Sequence, residues 1–148
     1  MASIDEVFAV KIAAVIARIL LGLAFLAAGG SGFFLIAHPP PAPPGLAGTF
    51  QDVFFQSRWV LFVDVVEFVS GALLLANRFV PLAIVMLAGV LSNILAFHVT
   101  MMPSGLPVPL LLTACWFIVA YRFRSYFWPL LVQSAEPTVE VQDAGRHS

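Results

Sequence analysis

The sequence predicts an all-α membrane protein, a bundle of four transmembrane helices with both termini in the cytoplasm, and three observations predict it. Of the 148 residues, 61% are hydrophobic and only 10% charged, whereas soluble domains carry about a quarter charged residues. The mean hydropathy is +0.99. The apolar residues gather into four stretches, Ile12 to Ile36, Trp59 to Ala76, Phe79 to Val99 and Leu106 to Tyr121, each near the roughly 20 residues of a spanning helix. The stretches are continuously apolar and do not alternate in and out. They therefore read as helices and not as barrel strands, the other structure that satisfies its own backbone in hydrocarbon.

The expected unit is one transmembrane domain over residues 1–132, with helices at about 10–37, 58–76, 79–101 and 107–128. The first apolar run is too long for a signal-peptide core, carries Arg18 and lacks a clean small-residue cleavage site, so it counts as mature structure. It ends at His38-Pro-Pro-Pro-Ala-Pro-Pro-Gly45, where prolines fix φ and remove amide donors, predicting an extended polyproline-like segment. Gly48 to Ser57 reads as a short amphipathic surface piece, with Phe50, Val53 and Phe54 at helical spacing. Asn77-Arg78 is a tight turn whose brevity makes the second and third helices antiparallel neighbours. Met101 to Pro109 is a Pro/Gly loop, with Pro107 or Pro109 placed to enter the first turn of the fourth helix. That helix reaches full length if Arg122 and Arg124 snorkel and Tyr126, Phe127 and Trp128 form an interfacial belt. From residue 133 to 148 the composition turns polar without periodicity, which predicts a disordered cytoplasmic tail. No internal repeat is visible.

An even number of crossings puts both termini on one side, and that side collects Lys11, Arg78, Arg122, Arg124 and Arg146 against Arg58 opposite. The positive-inside rule makes it the cytoplasm, for a multi-pass protein of the inner membrane. A net charge of -1 offers no basic footprint for nucleic acid. The single cysteine, Cys115, closes no disulfide within the chain and reads as a packed thiol.

Ionisable groups at membrane depth cost about 2.5 to 3.5 kcal/mol on insertion scales, which makes each a candidate for function. Here they are Arg18, Asp64 and Glu67. Arg18 and Glu67 fall roughly 12 and 15 Å from the cytoplasmic ends of their helices at 1.5 Å per residue, so they can meet. Asp64 precedes Glu67 by three residues and shares its face. Asn93 reaches a similar depth. Gly22 and Gly29 follow Arg18 by four and eleven residues, Gly71 follows Glu67 by four and Gly89 precedes Asn93 by four. Small residues at that spacing let helices approach closely. One arginine against two carboxylates leaves a carboxyl able to take or release a proton, as hydroquinone oxidation requires. The alternative is a structural Arg18–Glu67 ion pair with Asp64 hydrated at the outer edge. His98 lies five residues from Asn93, which turns it away by about 140°; a haem held by His38 and His98 is the weaker reading of two histidines at helix ends.

Taken together, Arg18-Ile-Leu-Leu-Gly22, Ala28-Gly-Gly-Ser-Gly-Phe-Phe34, the Pro39 to Pro44 loop, Glu67-Phe-Val-Ser-Gly71-Ala-Leu-Leu-Leu75, Asn77-Arg-Phe-Val-Pro-Leu-Ala83 and Asn93-Ile-Leu-Ala-Phe-His98 resemble the DoxX family of small bacterial four-helix membrane proteins. The resemblance runs over roughly residues 10 to 131. It implies the four-helix membrane fold and, less directly, association with a quinone-linked membrane oxidoreductase complex. The positions matching the family's polar signature are Arg18, Glu67, Asn93 and His98, and with Asp64 they make up the expected intramembrane polar centre.

No HExxH, GxGxxG, phosphate loop or nucleophile elbow is present to support independent catalysis. The leading expectation is an accessory or quinone-interacting subunit of a membrane redox complex. It has no metal or cofactor of its own, quinone is the implied ligand, and the partners are the lipid bilayer and a redox subunit. The alternatives are a small-molecule binding or transport module, as a homo-oligomer because four helices are few for a monomeric transporter, and a scaffold that docks a partner on the proline loop.

Overall fold

The computed structural model describes residues 4–131; the polar tail expected at 133–148 lies outside them. The described chain is all-α, with no strand. Its elements are α1 (Ile4–Ala37), α2 (Leu46–Gln56), α3 (Trp59–Leu75), α4 (Val80–Thr100), α5 (Pro107–Arg122) and the short α6 (Arg124–Phe127). Single 3-10 turns at Pro103–Gly105 and Trp128–Leu131 complete the set.

The 34 residues of α1 form one continuous helix that starts before the expected residue 10 and is about 50 Å long at 1.5 Å per residue. It stops at His38, whose N–H closes the last turn on the Phe34 carbonyl at 2.9 Å. The following proline disfavours helical backbone at that residue. The amphipathic piece is itself a helix, α2, entered through Gly45 at φ 74°, a left-handed value that glycine adopts without strain. α2 packs against α3, and the ring centroid of its Phe50 lies 5.2 Å from that of Phe97 near the C-terminal end of α4. The turn between α3 and α4 is as tight as its sequence implies. Asn77 and Phe79 both take left-handed backbone, at φ 54° and 52°, and Pro81 sits in the first turn of α4. Pro107 and Pro109 both open α5.

The fourth helix departs from expectation, because it does not run to residue 128. It ends at Arg122, and α6 restarts after Phe123. The Arg124 guanidinium donates to the Tyr121 carbonyl at 3.1 Å and lies 4.5 Å from the Tyr121 ring centroid. That carbonyl is the one a continuing helix would offer to residue 125.

The four long helices pack in a cycle: α1 lies against α3 and α5, and α4 lies against α3 and α5. Their shared core is Ala17, Leu21 and Phe25 of α1, Leu74 of α3, Ala83, Ile84, Leu87 and Leu91 of α4, and Cys115 and Val119 of α5. One side-chain hydrogen bond ties α5 to α4, from Trp116 Nε1 to the Ile84 carbonyl at 2.9 Å.

Two helices are long and apolar enough to cross a membrane, Phe8–Ala37 and Val80–Thr100. A core helix of a soluble protein passes the same length test but is covered by its neighbours. Here only 33% and 28% of the most apolar windows are buried. Leu20 and Leu23 of α1, Leu82 and Val85 of α4, and Phe62 and Phe117 elsewhere stand exposed.

Candidate functional site

The site begins with backbone that touches backbone. At Gly29 a Cβ would fall against the Asp64 carbonyl and 2.5 Å from the Phe68 amide nitrogen. At Gly71 it would meet the Leu26 amide nitrogen at 2.5 Å and the Gly22 carbonyl at 2.8 Å, and at Gly22 the Leu75 side chain at 2.8 Å. The glycines expected to pack at positions 22, 29 and 71 thus bring α1 and α3 together, antiparallel, over two turns. Gly89 does not pack in this way. Nothing lies within 4 Å of a Cβ built there, because it is on the exposed side of α4.

Toward the outer end of this contact, Gly29, Gly30 and Gly32 of α1 face Leu61, Asp64, Val65, Phe68 and Val69 of α3 across a groove of about 330 Å³. Val65, Phe68 and Val69 are exposed, so the groove opens sideways between the two helices. A Cβ at Gly32 would overlap the Asp64 carboxyl; only glycine leaves room for that side chain. The carboxyl has no such accommodation for its charge. Asp64 Oδ2 is buried and has no hydrogen-bond partner, and a buried acceptor left unpaired is costly.

The Arg18–Glu67 ion pair, the alternative that the sequence left open, does not form. The half-buried Arg18 donates through Nη1 to the Leu74 carbonyl in the last turn of α3. The register explains the difference: Gly22 is level with Gly71 and Leu75, so Arg18, a turn further along α1, reaches the end of α3. Glu67 is seven residues back from Leu74, about 10 Å along the axis. A cation on the terminal carbonyls complements the helix dipole.

Glu67 faces the interior and is only 7% exposed. Ser70, three residues on, is fully buried, and its Oγ has no partner. Asn93 is not brought to these groups. It is exposed and donates through Nδ2 to the Gly89 carbonyl of its own helix at 2.9 Å. His98 is apart as well, at the outer end of α4. Its Nδ1 bonds the Ile94 carbonyl at 2.8 Å, and its ring lies beside Gly105 and edge-on to Phe97. Since a carbonyl only accepts, Nδ1 carries the proton.

Besides the apolar wall of the groove, Gly32 and Ser70 are not singled out in the sequence reading. The available signals were spacing alone, since each lies three residues from a residue already singled out, Gly29 and Glu67. Among the described residues, no group of three or more His, Cys, Asp or Glu side chains gathers as metal ligands.

In comparisons with known proteins, no family model, no curated protein and no solved structure matches the chain. Fold and site define an all-α protein with two helices able to cross a membrane and an acid-bearing groove between α1 and α3.

Proposed function

We propose that this is a DoxX-like multi-pass inner-membrane protein in which α1, α3, α4 and α5 all cross the bilayer. In this reading the α1–α3 groove binds an amphiphile whose head donates a hydrogen bond to Asp64. The observation that carries it is the buried, donorless Oδ2 of Asp64 at the edge of a groove that opens sideways. In a bilayer such an opening faces lipid, so the occupant must be lipid-soluble and carry a donor.

A quinol meets both requirements. Its flat ring suits a slot walled by Gly29, Gly30 and Gly32, its hydroxyl satisfies Asp64, and its tail has Val65, Phe68 and Val69 to lie on. The chain carries no redox group of its own in this reading, and a partner subunit of the membrane complex takes the electrons. Four crossings are supported by the outward-facing apolar side chains and by the lengths of α3 and α5, about 25 Å each at 1.5 Å per residue. Both fall slightly short of the roughly 30 Å hydrocarbon core and are bounded by Arg58, Arg78 and Arg122, side chains able to snorkel. The antiparallel order places Lys11, Arg78, Arg122 and Arg124 at one end, the cytoplasmic end by the positive-inside rule.

A second reading is favoured by the absence, among the described residues lining the groove, of any cation beside Asp64, Arg18 being engaged at Leu74. The groove would then hold a cationic amphiphile for binding or transport. One experiment separates the two: mass spectrometry of small molecules extracted from detergent-purified protein, beside Asp64→Asn and Gly32→Val variants. Quinone enriched in the native sample and lost from both variants is the expected result. An enriched amphiphilic amine would select the second reading, and no bound molecule in any sample would remove the groove as a ligand site.

A further inference from the structure

We infer that α3 holds a one-ended proton well, in which Glu67 exchanges its proton with the groove side of the bundle through Asp64 and is closed off from the cytoplasmic end by Arg18. The inference rests on the membrane-spanning reading and is independent of what occupies the groove.

Asp64, Glu67 and Ser70 follow one another at intervals of three residues, each step rising about 4.5 Å along α3. The first borders the groove, the second is nearly buried and the third is fully buried. Among the described residues Glu67 makes no ion pair, while Asp64 Oδ2 and Ser70 Oγ have no partner at all. The unpartnered oxygens of Asp64 and Ser70, with the Glu67 carboxyl between them on the same helix, form a place where water and a proton satisfy what the chain does not. The step is proton transfer alone. A donor in the groove gives its proton to the Asp64 carboxylate, and Asp64 passes it, directly or through water, to the Glu67 carboxylate, with no electron moved.

The other charged groups near α3 decide the direction of access. From α1, among the described residues, the nearest is Arg18, which lies beyond Ser70 at the end of α3, while Lys11 is farther off toward the N-terminus and exposed. From α4 there is none before His98, at the outer end and bonded to Ile94. α2 contributes Asp52, exposed, and α3 itself Arg58 just before its start. Beyond Ser70 the stripe meets Leu74, fully buried with Leu21 and Phe25, and then the Arg18 guanidinium on the Leu74 carbonyl. A permanent cation set in an apolar plug is a barrier to protons, as in water-selective pores. On the groove side Asp64 lies five residues, about 8 Å, from the start of α3 at Trp59, and the cation at that end, Arg58, is exposed.

The test uses dicyclohexylcarbodiimide, which modifies protonated carboxyls in apolar surroundings, on the full chain in sealed vesicles of one orientation. Orientation is scored by protease access to the loops, and the labelled residue is located by peptide mass spectrometry. Raising the pH on the groove side at constant pH on the other should lower Glu67 labelling, approaching about tenfold per pH unit. Raising the pH on the cytoplasmic side alone should leave it unchanged. Asp64→Asn should slow the response, and Arg18→Gln should make Glu67 answer to both sides. Labelling that follows cytoplasmic pH in the native protein, or that ignores both sides, overturns the inference. Protease access to every loop from one side would instead refute the membrane-spanning reading, so the two failures are distinguishable.

Discussion

At the scale of single residues, Gly29 and Gly89 look alike in the sequence, each a small residue in an apolar helix at helical spacing from a polar candidate, Arg18 and Asn93. Their surroundings differ completely. A methyl at Gly29 must displace the backbone of α3, whereas one at Gly89 meets nothing. Gly29→Ala is expected to destabilise the protein by about 1 to 3 kcal/mol through overpacking. Gly89→Ala should be neutral or stabilising by up to about 1 kcal/mol, from helix propensity alone. Unfolding in mixed detergent micelles reads both, and equal losses would contradict the close approach of α1 and α3. Arg18→Ala should cost about 1 kcal/mol by removing a cation from the end of α3. Arg18→Lys should recover part of that, because the charge returns without the guanidinium's reach.

The polar site was legible only where a residue's chemistry forbade an ordinary position. Asp64 and Glu67 stand out in an apolar run because a carboxylate there needs a reason. Asn93 misled, since its amide bonds the carbonyl four residues back on its own helix and so needs no partner from another element. Arg18 misled through its length, which carries the charge along the bundle to Leu74, away from the level of Glu67.

At the scale of elements, the helix ends show where local chemistry overrides a run of apolar letters. The apolar run closes at Tyr121, and snorkelling by Arg122 and Arg124 was to carry the helix on to residue 128, yet Arg124 takes the Tyr121 carbonyl and the chain restarts at α6. The amphipathic α2 was legible because Phe50, Val53 and Phe54 stand at helical spacing, and the turn at Asn77 because two short-loop residues leave no room for another arrangement. Trp116 makes the one side-chain bond described between α4 and α5, so Trp116→Phe should loosen that pair by about 0.6 kcal/mol, the usual worth of an interhelical hydrogen bond in lipid. The change is measurable as faster hydrogen exchange in α5 with α1 and α3 unaffected.

At the scale of the whole molecule, four apolar stretches and their short connections were enough to foresee four long helices with antiparallel neighbours. They were not enough to foresee which helices touch. Leucine, isoleucine and phenylalanine serve both the core and the outward face here, so the contrast of polarity that orients helices in water is absent. The cycle in which α1 closes against both α3 and α5 therefore had to come from packing. Crossing of all four helices predicts a pattern of accessibility. In a Cys115→Ala background, Ser57→Cys and Ser104→Cys should react with a membrane-impermeant thiol reagent added outside intact cells. Asn77→Cys should react only after the membrane is opened. Asn77→Cys labelled from outside would require a different number of crossings.

The contact between α1 and α3 also has an order in time. In the membrane-spanning reading proposed above, α1 enters the membrane during synthesis while α3 is still unmade, and the proline segment and α2 must follow before Leu74 exists. Until then Arg18 has no carbonyl to hold it and its glycines have no neighbour, so α1 waits in lipid as an incomplete half. The arrival of α3 supplies both the acceptor and the packing surface together, and α5 can close the cycle only afterwards.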